Sequence, residues 1–119
     1  MVERTKRDKT TIGTTERITT GCGKLYITIN HNSDNGIIEV FAALGKSGGC
    51  AMVQNEAITR LISIGLQYGV PISEIIRQLT GLRCPSPVID EGTDIPSCPH
   101  AIALALSRAV SKTEKPKDP

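Results

Sequence analysis

The stretch Leu25–Leu44, LYITINHNSDNGIIEVFAAL, decides the fold. Leu25, Ile27 and Ile29 alternate with Tyr26, Thr28 and Asn30, the two-residue period of a half-buried strand. His31-Asn32-Ser33-Asp34-Asn35-Gly36 is dense in turn formers, and its closing Asn-Gly favours positive φ. A second β-branched and aromatic run, Ile37 to Leu44, completes a hairpin. Two strands are marginal by themselves, so the hairpin must pack on helices or gain a third strand. The strand-like pattern begins at Arg17.

Downstream the period changes. Val53, Ala57, Leu61, Ile64 and Tyr68 recur at steps of four, four, three and four, which predicts a long helix over 51–68 with that stripe buried. Ile58 and Ile62 widen the stripe, and Gly69 and Pro71 end the helix. Ser73 reads as the N-cap of a second, short helix, with Glu74 in its first turn and Gly81 past its end. Residues 84–97, CPSPVIDEGTDIPS, hold three prolines and a glycine and read as an irregular loop. A last helix opens at Cys98-Pro99, with Ala101, Ile102, Ala105, Leu106 and Ala109 on a small-residue face. The expected fold class is therefore α+β: a small antiparallel hairpin or three-stranded sheet packed on three helices.

The termini differ from this body. Residues 1–15 lack apolar periodicity and read as a disordered basic arm, residues 16–111 as the folded domain, and 112–119 as a disordered charged tail. The net charge of +2 is uneven: 1–20 and 107–119 each carry +2 and 21–106 carries −2. Basic ends can bind nucleic acid, but runs this short and mixed in sign are more often simply solvated. The chain has 119 residues, too few for a large catalytic barrel of about 200 residues or more. No apolar run approaches the roughly 18 to 20 residues of a membrane span, and MVERTKRDKT has no secretory apolar core. A cytoplasmic chain with no membrane partner is expected.

In that reducing compartment structural disulfides are rare, so four cysteines point to metal, redox chemistry or burial. Cys22, Cys50, Cys84 and Cys98 are 28, 34 and 14 residues apart, with no close pair for a fast disulfide. Their contexts say more than their spacing. Cys50 and Cys98 each precede a helix, where unpaired N–H groups favour a thiolate. Cys22 lies between two glycines at a strand start, and Cys84 follows a helix end. All four fall at element boundaries and outside the apolar stripes, which suits a four-thiolate site for Zn²⁺ or an iron–sulfur cluster. His31 reads as a solvent-exposed turn residue and His100 as a capping or surface residue. Lys46 lies in a glycine-rich turn without phosphate-loop spacing, and two histidines support no nucleophilic triad.

These boundary motifs carry a resemblance. Gly21-Cys22-Gly23-Lys24-Leu25-Tyr26, Leu44-Gly45-Lys46-Ser47-Gly48-Gly49-Cys50, Gly81-Leu82-Arg83-Cys84-Pro85 and Ser97-Cys98-Pro99 resemble the TSCPD domain family. That domain occurs at the C-terminal end of adenosylcobalamin-dependent (class II) ribonucleotide reductases and as short separate proteins. The likeness covers about residues 16–110. Pro96-Ser97-Cys98-Pro99-His100 stands where Thr-Ser-Cys-Pro-Asp is usual, so the signature's Thr and Asp are absent. A more distant similarity, to iron–sulfur scaffold proteins of the IscU/NifU type, places their three ligand cysteines on Cys22, Cys50 and Cys98. Lys24 stands where those scaffolds have Asp, and Cys84 would add a fourth thiolate.

The resemblance implies an IscU-like fold and a small module, not itself catalytic, that assists or regulates a ribonucleotide reductase through its large subunit. Its expected cofactor is Zn²⁺ on Cys22, Cys50, Cys84 and Cys98. The alternatives are an iron–sulfur cluster on the same residues, or nucleic acid held by the basic termini. A homodimer covering the long helix is also expected.

Overall fold

The computed structural model describes residues 3–45 and 49–113. Three strands, β1 (Ile12–Thr20), β2 (Gly23–His31) and β3 (Ile37–Leu44), form an antiparallel sheet in the order β1-β2-β3. Two helices follow, α1 (Cys50–Gln67) and α2 (Ile72–Leu79), then a small hairpin of β4 (Val88–Asp90) and β5 (Thr93–Ile95), and finally α3 (Cys98–Thr113). The fold is α+β, as expected.

The central hairpin pairs Leu25 with Leu44, Ile27 with Ala42 and Ile29 with Val40, so these alternate residues share one face. Ile18 of β1 joins them opposite Leu25. Asn35 takes φ 68° in the turn, the left-handed conformation its Asn-Gly position favours. α3 lies on this inner face with Ala101, Ile102, Ala105, Leu106 and Ala109 in the core. Ile102 and Leu106 are fully buried, each stabilising by about 1.5–3 kcal/mol. The alanines let the helix approach the sheet closely.

The structure departs from the sequence expectations at four places. First, β1 begins at Ile12, so the expected boundary at residue 16 falls inside a strand. Its Thr-rich run shows no alternation, yet it pairs with the whole of β2. Upstream, Arg7 bonds Glu39, and Asn32 bonds both Asp8 and Lys6, so part of the expected basic arm lies against the body. At the other end α3 includes Lys112 and Thr113, and the rest of the expected tail lies outside the described residues.

Second, α1 forms as expected but turned over. The Val53, Ala57, Leu61, Ile64 and Tyr68 row faces outward, with Val53 62% exposed and Leu61 71%, while Ile62 is buried in the core and Ile58 packs against it. Asn55, Thr59 and Gln67 are buried instead, on a four-residue spacing that includes Ser63. The cause is the free edge of β3. Ser63 Oγ accepts from Val40 N–H and donates to Val40 C=O, and Gln67 Nε2 donates to Ile38 C=O. A helix that covers a strand edge must bring hydrogen-bonding side chains to it, since those backbone groups have no neighbouring strand.

Third, Ser73 is not a cap: α2 starts at Ile72 with Pro71 at the N-cap position. Gly81 does sit past its end, with φ 85°. Fourth, the expected irregular loop contains the β4–β5 hairpin. Its turn, Glu91-Gly92, has φ 48° and 82°, the doubly positive pattern of a two-residue hairpin turn.

Candidate metal centre

The loops at one end of the sheet converge on Thr20. Its hydroxyl donates to Gly23 C=O at 2.9 Å and accepts from Cys22 N–H at 3.2 Å. The Cys98 thiol donates to the same oxygen at 3.3 Å. Thr20 is the last residue of β1 and Cys98 the first of α3, so one buried hydroxyl joins the strand turn to the helix start.

Cys84 reaches this place through glycine. A Cβ on Gly21 would lie 1.8 Å from Ser86 C=O, so only a residue without one lets the 84–87 segment dock on the Cys22 turn. The close approach that Gly21 permits is taken up by the backbone of Ser86. Cys84 Sγ accepts from Ser86 N–H at 3.4 Å, and Cys84 N–H donates to Pro96 C=O at 2.9 Å. Ser97 then caps α3, accepting from His100 N–H at 3.1 Å and donating to Leu82 C=O. The 82–87 segment is thereby fastened at both the Cys22 turn and the start of α3.

Cys22, Cys84 and Cys98 therefore form one neighbourhood. Cys22 is an exposed residue and Cys98 is 7% exposed. Partial burial pushes the Cys22 thiol up, and the neighbouring Cys98 and Cys84 add to that. Thiols close together resist ionising in succession, and a divalent cation reverses that preference. Cys98 belongs to the hydrophobic core cluster, contrary to the expectation that none of the four lies among apolar residues.

Cys50 is placed by topology. Gly45 N–H donates to Lys24 C=O at 2.8 Å, so the chain leaves β3 two residues from Cys22. α1 then starts at Cys50, after Gly49 with φ 92°. Cys50 is exposed, and Lys46, Ser47 and Gly48 before it lie outside the described residues. Among the described residues no group of three or more His, Cys, Asp and Glu side chains is arranged to hold a metal ion. What the described residues show is narrower: Cys22, Cys84 and Cys98 share one neighbourhood, and Cys50 opens α1 beyond the end of β3.

The histidines stand apart. His31 Nδ1 lies 3.3 Å from Asn35 C=O within the hairpin turn. His100 Nδ1 accepts from Gly81 N–H at 2.9 Å, fastening the end of α2 to α3. That contact goes beyond the capping or surface role expected of it. It uses the Nδ1 lone pair, so the ring carries its proton on Nε2 when neutral. Sequence reasoning does not single out Thr20, Gly21 as a docking point, or Asp90, whose Oδ2 accepts from Thr19 N–H at 3.1 Å. The Glu91-Gly92 turn was the available signal for the hairpin that carries Asp90.

Of the basic arm, Arg4 donates to Gln67 Oε1 and sits over the Tyr68 ring at 6.0 Å, while Arg7 pairs with Glu39. Arg108, near the other end, pairs with Glu16. These three cations are engaged with the chain itself. No helix among the described residues is long and apolar enough to cross a membrane.

Comparison with known proteins follows the same lines. The family model for the TSCPD domain matches residues 3–110. A vitamin B12-dependent ribonucleotide reductase of Agrobacterium fabrum is 35% identical over 94 residues, covering 77% of this chain and 7% of that protein. The same-named proteins of Streptantibioticus cattleyicolor and Streptomyces coelicolor are 35% identical over 71 residues. That stretch is 60% of this chain and 12% and 7% of theirs, so the chain spans a small fraction of the relatives it matches. No solved structure matches it significantly. With a match across nearly every described residue, the chain belongs to the TSCPD domain family.

Proposed function

We propose that this chain is a non-catalytic metal-binding module that works with a ribonucleotide reductase, and that Cys22, Cys50, Cys84 and Cys98 hold one Zn²⁺. The observation that carries the reading is the convergence of Cys22, on the β1–β2 turn, and Cys98, at the start of α3, on Thr20, with Cys84 beside them on the segment docked at Gly21. Thiols are poor hydrogen-bonding groups, so mutual satisfaction does not account for gathering them. Four thiolates are a usual Zn²⁺ donor set. Cys50 and Cys98 are the first residues of α1 and α3, so two rigid elements would present their sulfurs.

Bound there, the ion would act as a structural clamp. This chain's residues do the positioning: Thr20 fixes the Cys22 turn against α3, Gly21 admits the 84–87 segment, and Ser97 holds that segment to the helix start. The IscU-like likeness drawn from the sequence belongs to this proposal as well. The reductase as partner rests on the relatives' names and on the small share of their length that this chain represents.

Anaerobically purified protein should contain about one Zn per chain by mass spectrometry of the metal, the stoichiometry of a closed four-thiolate site. Cys98→Ser should lose most of it. A metal-free wild-type protein refutes the metal centre. A cluster-type visible absorption after iron and sulfide reconstitution, exceeding what Zn-loaded protein shows, would favour the iron–sulfur reading on the same thiols. Pull-down of a B12-dependent reductase from a matching extract tests the partner separately.

A further inference from the structure

The outward face of α1 has no counterpart within the described fold. Val53, Leu61, Ile64 and Tyr68 are 62%, 71%, 47% and 45% exposed, and exposed Ala57 completes the row. Phe41, 52% exposed on β3, borders it beside Ile64. Together these side chains leave about 500 Å² of apolar surface in water, the size at which an exposed patch marks an interaction site. Along one flank runs an apolar groove of about 280 Å³ between α1 and α2, lined by Leu61, Ile62, Gly65, Val70, Ile75 and Leu79. Gly65 forms its open floor: a Cβ there would meet Val70 at 3.6 Å.

We propose that this face is the interface of a two-fold dimer, its occupant being the α1 face of a second copy. Three observations select a like partner. The patch carries both a ridge and a groove, and a two-fold interface needs both on the same surface because each copy is donor and recipient. Laid antiparallel with the two-fold axis beside Leu61, Val53 falls opposite Tyr68 and Ala57 opposite Ile64, small residues against large ones. That arrangement sends the ridge of each helix along the groove side of its partner. The helix itself is also balanced in charge. Of the 18 residues of α1 only Glu56 and Arg60 are charged, and they pair with each other at 3.0 Å. At the margins Arg4 lies over Tyr68 and Glu74 lines the groove, charges of opposite sign. Two such patches remove about 1,000 Å² from water before their polar rims are added, which reaches the range of specific interfaces.

The inference stands apart from the metal reading, since α1 presents this face on the side away from β3. Sedimentation equilibrium of the full chain across a wide concentration range should show a monomer–dimer equilibrium. Leu61→Asp should raise the dissociation constant at least about thirtyfold, as expected for a residue at an interface centre. Because Leu61 is exposed, that variant should keep the wild-type circular dichroism and metal content. Gly65→Leu, which fills the groove, should weaken association too. A chain that stays monomeric at every concentration overturns the proposal, including when it is captured by another protein through this face. A dimer unaffected by Leu61→Asp overturns it as well, because it must use another surface.

Discussion

The two ends of the central sheet are built from different chemistry. At the β2–β3 turn, the N-terminal segment is held by charge and amide. Arg7 donates to Glu39 at 2.8 Å, Asn30 donates to the other oxygen of Glu39 at 2.7 Å, and Asp8 accepts from Ser33 N–H at 2.7 Å. At the opposite end the sulfur contacts are longer, 3.3 Å from Cys98 to Thr20 and 3.4 Å from Ser86 to Cys84. One end is completed by strong mutual hydrogen bonds. The other gathers groups that bond one another weakly, and the proposed Zn²⁺ would supply the attraction they lack.

That contrast orders the expected effects. Chelation should be largest, because structural Zn²⁺ sites hold on the order of 10 kcal/mol of folding free energy. A strong chelator under reducing conditions should lower the melting temperature far more than any single substitution at the Arg7–Glu39 end. A melting curve unmoved by chelation of metal-loaded protein would break the contrast. Next comes the shared core: Ile102→Ala should cost about 2–5 kcal/mol in denaturant unfolding, whichever end is considered. A cost below about 1 kcal/mol would place α3 elsewhere than on the sheet.

A smaller loss is expected at the β3 edge. Ser63→Ala leaves the buried Val40 N–H and C=O without their partner and should cost about 1–3 kcal/mol. Amide exchange at Val40 should quicken correspondingly, and unchanged exchange would mean the edge is protected in another way.

The mildest effect sharpens the other end. Burial pushes the Glu39 carboxyl up, but hydrogen bonds from Arg7 and Asn30 and the charge of Arg7 outweigh it and hold it below its ordinary value. The Ser33 N–H and hydroxyl act in the same direction on Asp8. A depressed folded-state value means stabilisation that is present above the unfolded carboxylate range, about 4, and is lost as pH falls through the lower folded value. Amide exchange at Ser33 should therefore quicken in that acid window, and Asp8→Asn should flatten the response. An equal acid response in that variant would assign the protection to other groups.

Particular residues show how far the sequence could be read. The alternation of Leu25, Ile27 and Ile29 specified the hairpin because one face of those strands is buried and the other is not. The stripe on α1 specified a helix but not its orientation. Apolar spacing says where a helix is amphipathic, whereas the buried side here was set by Ser63 and Gln67 meeting an unpaired strand edge. The first part of β1 escaped notice because residues 12–15 are all exposed, so no apolar alternation marks them ahead of Arg17. The charged segment around Arg7 and Asp8 looked solvated, since its partners lie more than twenty residues away. For the site, element boundaries singled out the four cysteines, and Cys22, Cys84 and Cys98 lie in one neighbourhood without the arrangement of a metal site among the described residues. That neighbourhood depends on Gly21 yielding to Ser86, a tertiary contact with no local signature.

X-ray absorption at the zinc edge of the purified chain tests the central claim most directly. The account predicts four sulfur neighbours at about 2.3 Å, falling to three in Cys50→Ser or Cys84→Ser. A first shell made of nitrogen and oxygen, or a sulfur count unchanged by those substitutions, would contradict it.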